Sequence, residues 1–356
     1  MFGERAIIFL VISCPCALVL SVPLTFFSGI GAASKRGVLF KSSSDLEMIK
    51  NVDTFVFDKT GTLTKGIFEV KAISNVSNFT EKELIEYVAA AESNSNHPIA
   101  KSILKKNKRQ FNPNDVEIVE DEFGKGIEAI YNGKNILVGN FNYLKEKQIN
   151  VVSCNDVGTI VYVSIDRIFC GAIVISDTIK DSSKETVEYL KNSDKMVLMV
   201  TGDNSKTANM VAAELGIDNV YYEQLPLQKS KIINELRKTG KCVAFIGDGI
   251  NDAPVLTTSS LGISMGGIGS DVAIEASDVV LMHDEPRGLI SAIEVSKKTD
   301  IIAKQNIIFS LAVKVVTMVF GAIGLPYMLW IAVFADVGVA LLAVLNAMRI
   351  LYNKKI

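Results

Sequence analysis

Three short apolar runs, each broken by an acidic residue in a glycine-containing loop, constrain the fold more than any other feature. Thr54-Phe55-Val56-Phe57 meets Asp58-Lys59-Thr60-Gly61-Thr62. Met196-Val197-Leu198-Met199-Val200 meets Thr201-Gly202-Asp203, and Cys242-Val243-Ala244-Phe245-Ile246 meets Gly247-Asp248-Gly249-Ile250-Asn251-Asp252. Apolar strands without alternation fit a parallel sheet buried on both faces. Chemistry in such sheets gathers at the carboxyl ends of the strands, where these acids fall. The stretch from Ser205 to Leu215, stopped by Gly216, is the expected crossover helix.

The spacing calls for an insertion. Asp58 and Asp203 lie 145 residues apart, too far for one strand–helix–strand unit. Residues 67–170 are therefore expected to form a separate inserted domain. It opens with a capped helix, Thr80 at the N-cap and Glu83 three residues on. It continues through Glu92-Ser93-Asn94-Ser95-Asn96-His97-Pro98 into a strand-rich half with Gly124-Lys125-Gly126 and Val138-Gly139-Asn140.

Elsewhere the chain is strongly apolar. Between Arg5 and Lys35 lie 29 uncharged residues, more than the ~20 that a membrane helix needs. A secretory signal is the rival, but its apolar core spans only ~7–15 residues. From Gln305 to Met348 the only charges are Lys314 and Asp336, and Gly324-Leu325-Pro326 divides this region into a hairpin, 306–323 and 327–350. Lys35, Arg36, Lys41, Lys297, Lys298, Lys304, Arg349, Lys354 and Lys355 then share one side, the cytoplasm by the positive-inside tendency. The mean hydropathy of +0.30 fits this concentration. A net charge of −2 argues against a nucleic-acid partner, and five cysteines in 356 residues are too sparse for a disulfide scaffold.

The strand-end residues suit phosphoryl transfer. It needs a nucleophile, a metal to neutralise phosphate charge, and positioned donors. Asp58 could attack phosphorus and form an aspartyl phosphate. Asp248 and Asp252 offer hard oxygen ligands for Mg²⁺. Thr201 and Lys229 could hold the transferring phosphoryl oxygens. Any single Asp-Lys-Thr could be a plain strand-capping turn; three such ends together point to a site.

The motifs DKTGT at 58–62, TGD at 201–203 and GDGxNDAP at 247–254 resemble the phosphorylation domain of P-type ATPases, within the haloacid dehalogenase-like superfamily. The resemblance implies an α/β fold, a dehalogenase-like parallel-sheet phosphorylation domain with an inserted α+β nucleotide-binding domain. Its parts would be a transmembrane helix over 1–34, the linker and first part of the phosphorylation domain over 35–66, the nucleotide-binding domain over 67–170, the second part over 171–297, and a transmembrane hairpin over 298–356. The resemblance further implies Asp58 as the phosphorylated residue, and Lys59, Thr60, Thr201, Gly202, Asp203 and Lys229 as its catalytic companions. Mg²⁺ would sit on Asp58, Asp248 and the Thr60 carbonyl with Asp252 close by. ATP would lie among Glu92, His97, Gly124, Gly126, Gly139 and Asn140. His97 before Pro98 could equally be a surface turn, and Gly124 and Gly126 a plain β-turn.

Cys14-Pro15-Cys16 lies inside the first apolar helix. Proline opens the helix between two soft sulfur ligands. A redox pair and inert buried thiols are the alternatives. The motif resembles the signature of heavy-metal-transporting P-type ATPases. Lys314 stands ten residues before Gly324 and Asp336 ten after Pro326, which sets both ~15 Å from the turn on antiparallel helices. A carboxylate beside two thiolates suits Zn²⁺ or Cd²⁺, whereas Cu⁺ prefers an all-sulfur site. Lys314 and Asp336-Val337-Gly338 are also similar to the zinc/cadmium/lead group. Cys14, Cys16 and Asp336 are thus expected to bind the transported ion, with Lys314 as a built-in counter-ion.

The expected protein is an ATP-driven divalent-metal exporter of the bacterial cell membrane, soluble domains inside. The family's Thr-Gly-Glu actuator loop and its earlier helices have no counterpart here. The chain therefore reads as the C-terminal half of a pump, working with an N-terminal part that supplies the actuator. A Cu⁺ pump and a membrane-anchored dehalogenase-like phosphatase are the competing expectations.

Overall fold

A computed structural model describes residues 16–95, 97–107, 111, 115–122, 125–154, 156, 158–248, 252–266, 271–323 and 328–352. They fall into two compact units, one drawn from 1–58, 182–200 and 224–356, the other from 59–181 and 201–223.

The first unit holds the parallel sheet. Its strands lie in the order Val38–Phe40, Val279–Leu281, Leu261–Met265, Val243–Gly247, Thr54–Asp58, Met196–Val200. All neighbours are parallel except the short Val38–Phe40, which runs antiparallel at the edge. Every residue of Thr54–Asp58 is buried, which is why this strand shows no polar alternation. Val56, Leu198, Val200, Val243 and Phe245 form one core with Ile233, Val255 and Leu256 from helices that cover the sheet. The register sets Phe57 opposite Ile246 and Asp58 opposite Val200. The carboxyl ends of three strands are thereby level.

Among the described residues the same unit carries three helices long and apolar enough to cross a membrane, Cys16–Ser34, Gly288–Ile323 and Met328–Tyr352. They pack on one another. A Cβ at Gly29 would run into the Thr299 side chain, so glycine lets the first helix approach the second closely. Asn306 is buried between helices, donating to Thr25 Oγ1 and the Ala343 carbonyl, each at 3.1 Å. The middle helix is 36 residues long and begins well before the apolar stretch at 306. No glycine or proline interrupts residues 289–305. The i,i+4 pair Asp300–Lys304 at 2.8 Å adds to this extension.

The second unit centres on a six-stranded antiparallel sheet, ordered Thr64–Asn75, Ile168–Ile179, Thr159–Ile165, Lys134–Gly139, Gly126–Tyr131, Val116–Glu122. Helices Glu81–Ala91 and Pro98–Asn107 bury Leu84, Val88 and Ile103 in the core shared with Ile127, Ile136 and Ile173. The expected capping box is present, with Thr80 and Glu83 exchanging side-chain-to-backbone hydrogen bonds. The helix Ser205–Leu215 also lies in this unit and ends at Gly216, in the left-handed conformation at φ +71°, as its sequence predicts.

Candidate active site

Four of the expected residues converge in the first unit. Asp58 is the last residue of its strand, and Asp248 follows the adjacent strand Val243–Gly247. Asp252 precedes the helix Ala253–Thr258, whose first turn holds Pro254. Oxygen atoms of Asp58, Asp248 and Asp252 all lie within 4.8 Å of one another. Lys229, on the first turns of the helix Pro226–Lys238, reaches into this cluster. Its Nζ donates to Asp58 Oδ1 at 2.5 Å and to Asp252 Oδ1 at 2.9 Å.

The charges decide the site's character. Asp58, Lys229 and Asp252 are all buried. Burial pushes the Asp58 carboxyl up to about 7; Asp252 and Asp248 push the same way, while Lys229 pulls back. For Lys229, burial alone would lower the ammonium pKa, but Asp58 and Asp252 outweigh it and the net direction is upward. Lys229 bonds two of the three carboxylates. The donor set is all oxygen, compact and short of positive charge, and these properties fit a Mg²⁺ ion.

The second unit gathers another group. Lys59 Nζ lies 3.0 Å from Asp203 Oδ2, and Thr201 Oγ1 donates to the same oxygen at 2.7 Å. Gly202 completes the turn between them. Thr60 sits in the turn Lys59–Leu63 beside Gly61, which takes φ +73°. Two residues outside the sequence expectation support this turn. Lys180 Nζ donates to the Gly61 carbonyl at 2.6 Å, and buried Asp177 accepts from Thr64 Oγ1. Asp177 carries the same pattern as the other strand ends: the apolar run Ala172-Ile173-Val174-Ile175 breaks at Ser176-Asp177.

The residues expected around a nucleotide are also in the second unit. Glu92 is half-buried just past the helix Glu81–Ala91. Burial pushes its carboxyl up to about 7, against a hydrogen bond from Ser95 that lowers it. His97 is exposed, and its Nδ1 accepts from the Ile99 N–H at 3.3 Å. Asn140 caps the helix Phe141–Glu146, accepting from the Tyr143 N–H at 2.9 Å. Gly126 and Gly139 face each other across paired strands, and a Cβ on Gly139 would approach the Tyr143 ring at 2.7 Å. Close packing of Tyr143 thus requires glycine at both places. Gly124 lies outside the described residues.

Among the apolar helices, Lys314 Nζ and Asp336 Oδ1 are 3.7 Å apart. They line a pocket with Ala17, Ser310, Thr317 and Val339. Ser310 Oγ is buried there without a hydrogen-bond partner among the described residues. Cys14 and the Cys16 side chain lie outside the described residues.

A parallel sheet with an acidic cluster at its carboxyl ends defines a class. The sequence pattern of the haloacid dehalogenase-like hydrolases matches residues 52–258, and the chain belongs to that family. Its named relatives are narrower. It is 48% identical over 354 residues to the cadmium, zinc and cobalt-transporting ATPase of Bacillus subtilis (strain 168), an alignment covering 98% of this chain and 50% of that protein. It is 45% identical over 349 residues to the zinc-transporting ATPase of Synechocystis sp., covering 97% and 48%. The chain thus spans about half the length of the curated relatives it matches. Among solved structures it is similar to a zinc-transporting PIB-type ATPase in the E2.Pi state, with TM-score 0.84, 34% identity, and coverage of 96% of this chain and 56% of that one. The catalytic domain of the CPx-ATPase CopB-B matches with TM-score 0.59 and 28% identity, over 74% of this chain and 98% of that domain.

Proposed function

We propose that this chain is the catalytic and C-terminal membrane portion of an ATP-driven exporter of Zn²⁺ or Cd²⁺, working through an aspartyl phosphate on Asp58. The observation that carries this reading is the cluster of buried Asp58, Asp252 and Lys229 with half-buried Asp248. Asp58 attacks the γ-phosphorus of ATP through a carboxylate oxygen. The bond from that phosphorus to the β-phosphate oxygen breaks and ADP leaves. Lys229 bonds to Asp58 Oδ1, orienting the carboxylate and offsetting the charge of the incoming phosphoryl group. Asp58, Asp248 and Asp252, with the Thr60 carbonyl, would hold Mg²⁺, which supplies neutralisation of phosphate charge. Lys59 and Thr201 donate to the phosphoryl oxygens, while Asp203, bonded to both, and Gly202 fix the loop that presents them. Glu92, His97, Gly124, Gly126, Gly139 and Asn140 receive the nucleotide, with the two described glycines shaping the wall against Tyr143.

The three apolar helices span the membrane with the soluble units on the cytoplasmic side. Cys14, Cys16 and Asp336 bind the exported ion as substrate. Lys314, whose Nζ lies 3.7 Å from Asp336 Oδ1, competes for that carboxylate and favours release. One carboxylate with two thiolates suits a borderline divalent ion over Cu⁺, in keeping with the names of the relatives. An actuator from an N-terminal portion would remove the phosphoryl group from Asp58. Incorporation of radiolabelled phosphate from ATP, compared with Zn²⁺, Cd²⁺ and Cu⁺, tests the reading. Stimulation by Zn²⁺ and Cd²⁺ is expected; stimulation by Cu⁺ alone would overturn the choice of ion.

A further inference from the structure

Hydroxyls on apolar helices ordinarily return to the carbonyl four residues back. In this bundle Thr25, Thr299 and Thr317 do so, at 2.7, 2.8 and 2.7 Å. Ser21 and Ser310 do not. Ser21 is 0% exposed and Ser310 7%, and neither Oγ has a hydrogen-bond partner among the described residues. A buried hydroxyl left unpaired costs free energy, so two of them in one bundle call for a physical reason.

The surrounding contacts bring the two to one level. Gly29 meets Thr299, Thr25 meets Asn306, and Ala17 and Leu18 share a pocket with Lys314, so the first two helices run antiparallel in this register. Ser21 is four residues before Thr25, and Ser310 is four after Asn306. Each step is one turn, ~6 Å along the axis, and stays on one helix face. A turn further lies the pocket that holds Lys314 and Asp336, and Ser310 is part of its lining. Three layers therefore follow one another: the bonded Thr25–Asn306 layer, the unpaired Ser21–Ser310 layer, and the Lys314–Asp336 pocket. The bonded layer lies toward the end where Ser296 donates to the Leu46 carbonyl, the cytoplasmic end in the orientation proposed above. An ion entering from that end passes the two hydroxyls before it reaches Asp336.

We propose that the Ser21 and Ser310 hydroxyls are oxygen donors for the transported divalent ion, one helical turn to the cytoplasmic side of the Lys314–Asp336 pair. The site deepens the exporter reading and rests on it. A hydroxyl oxygen carries two lone pairs, and these replace water in the ion's hydration shell as it leaves the aqueous side. Hydroxyl oxygen is a hard donor, so the pair favours Zn²⁺ over the softer Cd²⁺. Ser21 and Ser310 are thereby specificity residues of the ion path.

The test is equilibrium dialysis of the full chain in detergent against Zn²⁺ and, separately, Cd²⁺, with melting temperatures taken alongside. Ser310→Ala should weaken Zn²⁺ binding about tenfold, the low end of what losing a metal-site partner costs, and weaken Cd²⁺ binding less. Ser21→Ala should act in the same direction. Ser310→Cys, which exchanges oxygen for sulfur, should turn the affinity ratio toward Cd²⁺. Metal-free Ser310→Ala should melt no lower than the unaltered chain, because the hydroxyl it loses is unpaired. Thr299→Val, whose hydroxyl is spent on its own helix, should leave the binding of both ions unchanged. Undiminished Zn²⁺ binding by either alanine variant, or equal losses for the two ions, would overturn the hydroxyl pair. So would a lower melting temperature of metal-free Ser310→Ala, which would mark a packing or structural-water role. If Ser310→Ala does not fold, Ser310→Cys decides through the affinity ratio, which packing alone does not move, and an unchanged ratio overturns the pair. Asp336→Asn separates this site from the exporter reading. Equal Zn²⁺ binding by Asp336→Asn and the unaltered chain would remove both, whereas loss in Asp336→Asn without loss in Ser310→Ala would remove only the hydroxyl pair.

Discussion

Lys229 Nζ bridges Asp58 and Asp252, 2.5 Å from the first and 2.9 Å from the second. The two aspartates come from different stretches of chain, a strand end and a helix start, and a single buried ammonium joins them. Removing it takes away the ammonium bonded to two of three carboxylates that lie within 4.8 Å of one another. Lys229→Ala is expected to lower phosphate incorporation from ATP about 10²-fold or more, the usual effect of losing one preorganised charge-stabilising donor. Lys229→Arg should recover only part of this, because a planar fork replaces a point charge. Single-turnover phosphorylation measures both.

The same cluster couples stability to pH and Mg²⁺. The folded Asp58 carboxyl titrates at about 7, against ~3.9 for an unfolded aspartate. A carboxyl raised on folding contributes stability that is full below the unfolded value and is lost as pH rises through the folded one. Metal-free protein should therefore lose stability between pH 4 and pH 7. Mg²⁺ binds the ionised cluster, so the rise in melting temperature it produces should be larger at pH 8 than at pH 5.5. Asp58→Asn should flatten this pH dependence. An equal Mg²⁺ effect at both pH values would count against the site.

Glu92 provides a second, independent titration. Burial holds its carboxyl near 7, so it gains a negative charge across the neutral range. If the triphosphate lies near it, ATP affinity should fall as pH rises from 6 to 8. Glu92→Gln, permanently neutral, should remove that slope while keeping binding. Isothermal titration with a non-hydrolysable ATP analogue at several pH values reads the effect.

Lys314 and Asp336 should behave as a unit. The pair is half-buried, and breaking it from one side leaves an uncompensated charge among apolar helices. Asp336→Asn alone should therefore lower the thermal stability of the detergent-solubilised chain more than Lys314→Met and Asp336→Asn combined. Metal should separate them the other way. Asp336→Asn and the double variant should both fail to bind Zn²⁺, as measured by equilibrium dialysis.

Much of this arrangement was legible in the sequence because it is local. The strand ends at Asp58 and Val200, the Thr80–Glu83 capping box, and the helix Ser205–Leu215 with its Gly216 stop each depend on short-range pattern. The matching depth of Lys314 and Asp336 followed from counting residues on either side of one turn, and the structure sets them 3.7 Å apart. What escaped depends on distant pairing. Asp177 meets Thr64 because the strands Thr64–Asn75 and Ile168–Ile179 align across an inserted domain. Lys180 meets Gly61 for the same reason. The glycines 126 and 139 are set by the Tyr143 ring, a contact that only three-dimensional packing creates. The middle apolar helix starts at Gly288, earlier than hydropathy shows, because helix formation continues past the apolar stretch.

The central claim is that Asp58 carries the phosphoryl group. Purified chain incubated with Mg²⁺ and radiolabelled ATP, quenched in acid and digested, should yield one labelled peptide containing Asp58. The label should be sensitive to hydroxylamine, discharged by ADP, and missing in Asp58→Asn. Phosphate release from ATP at an undiminished rate by Asp58→Asn, with no labelled peptide from the unaltered chain, would contradict it.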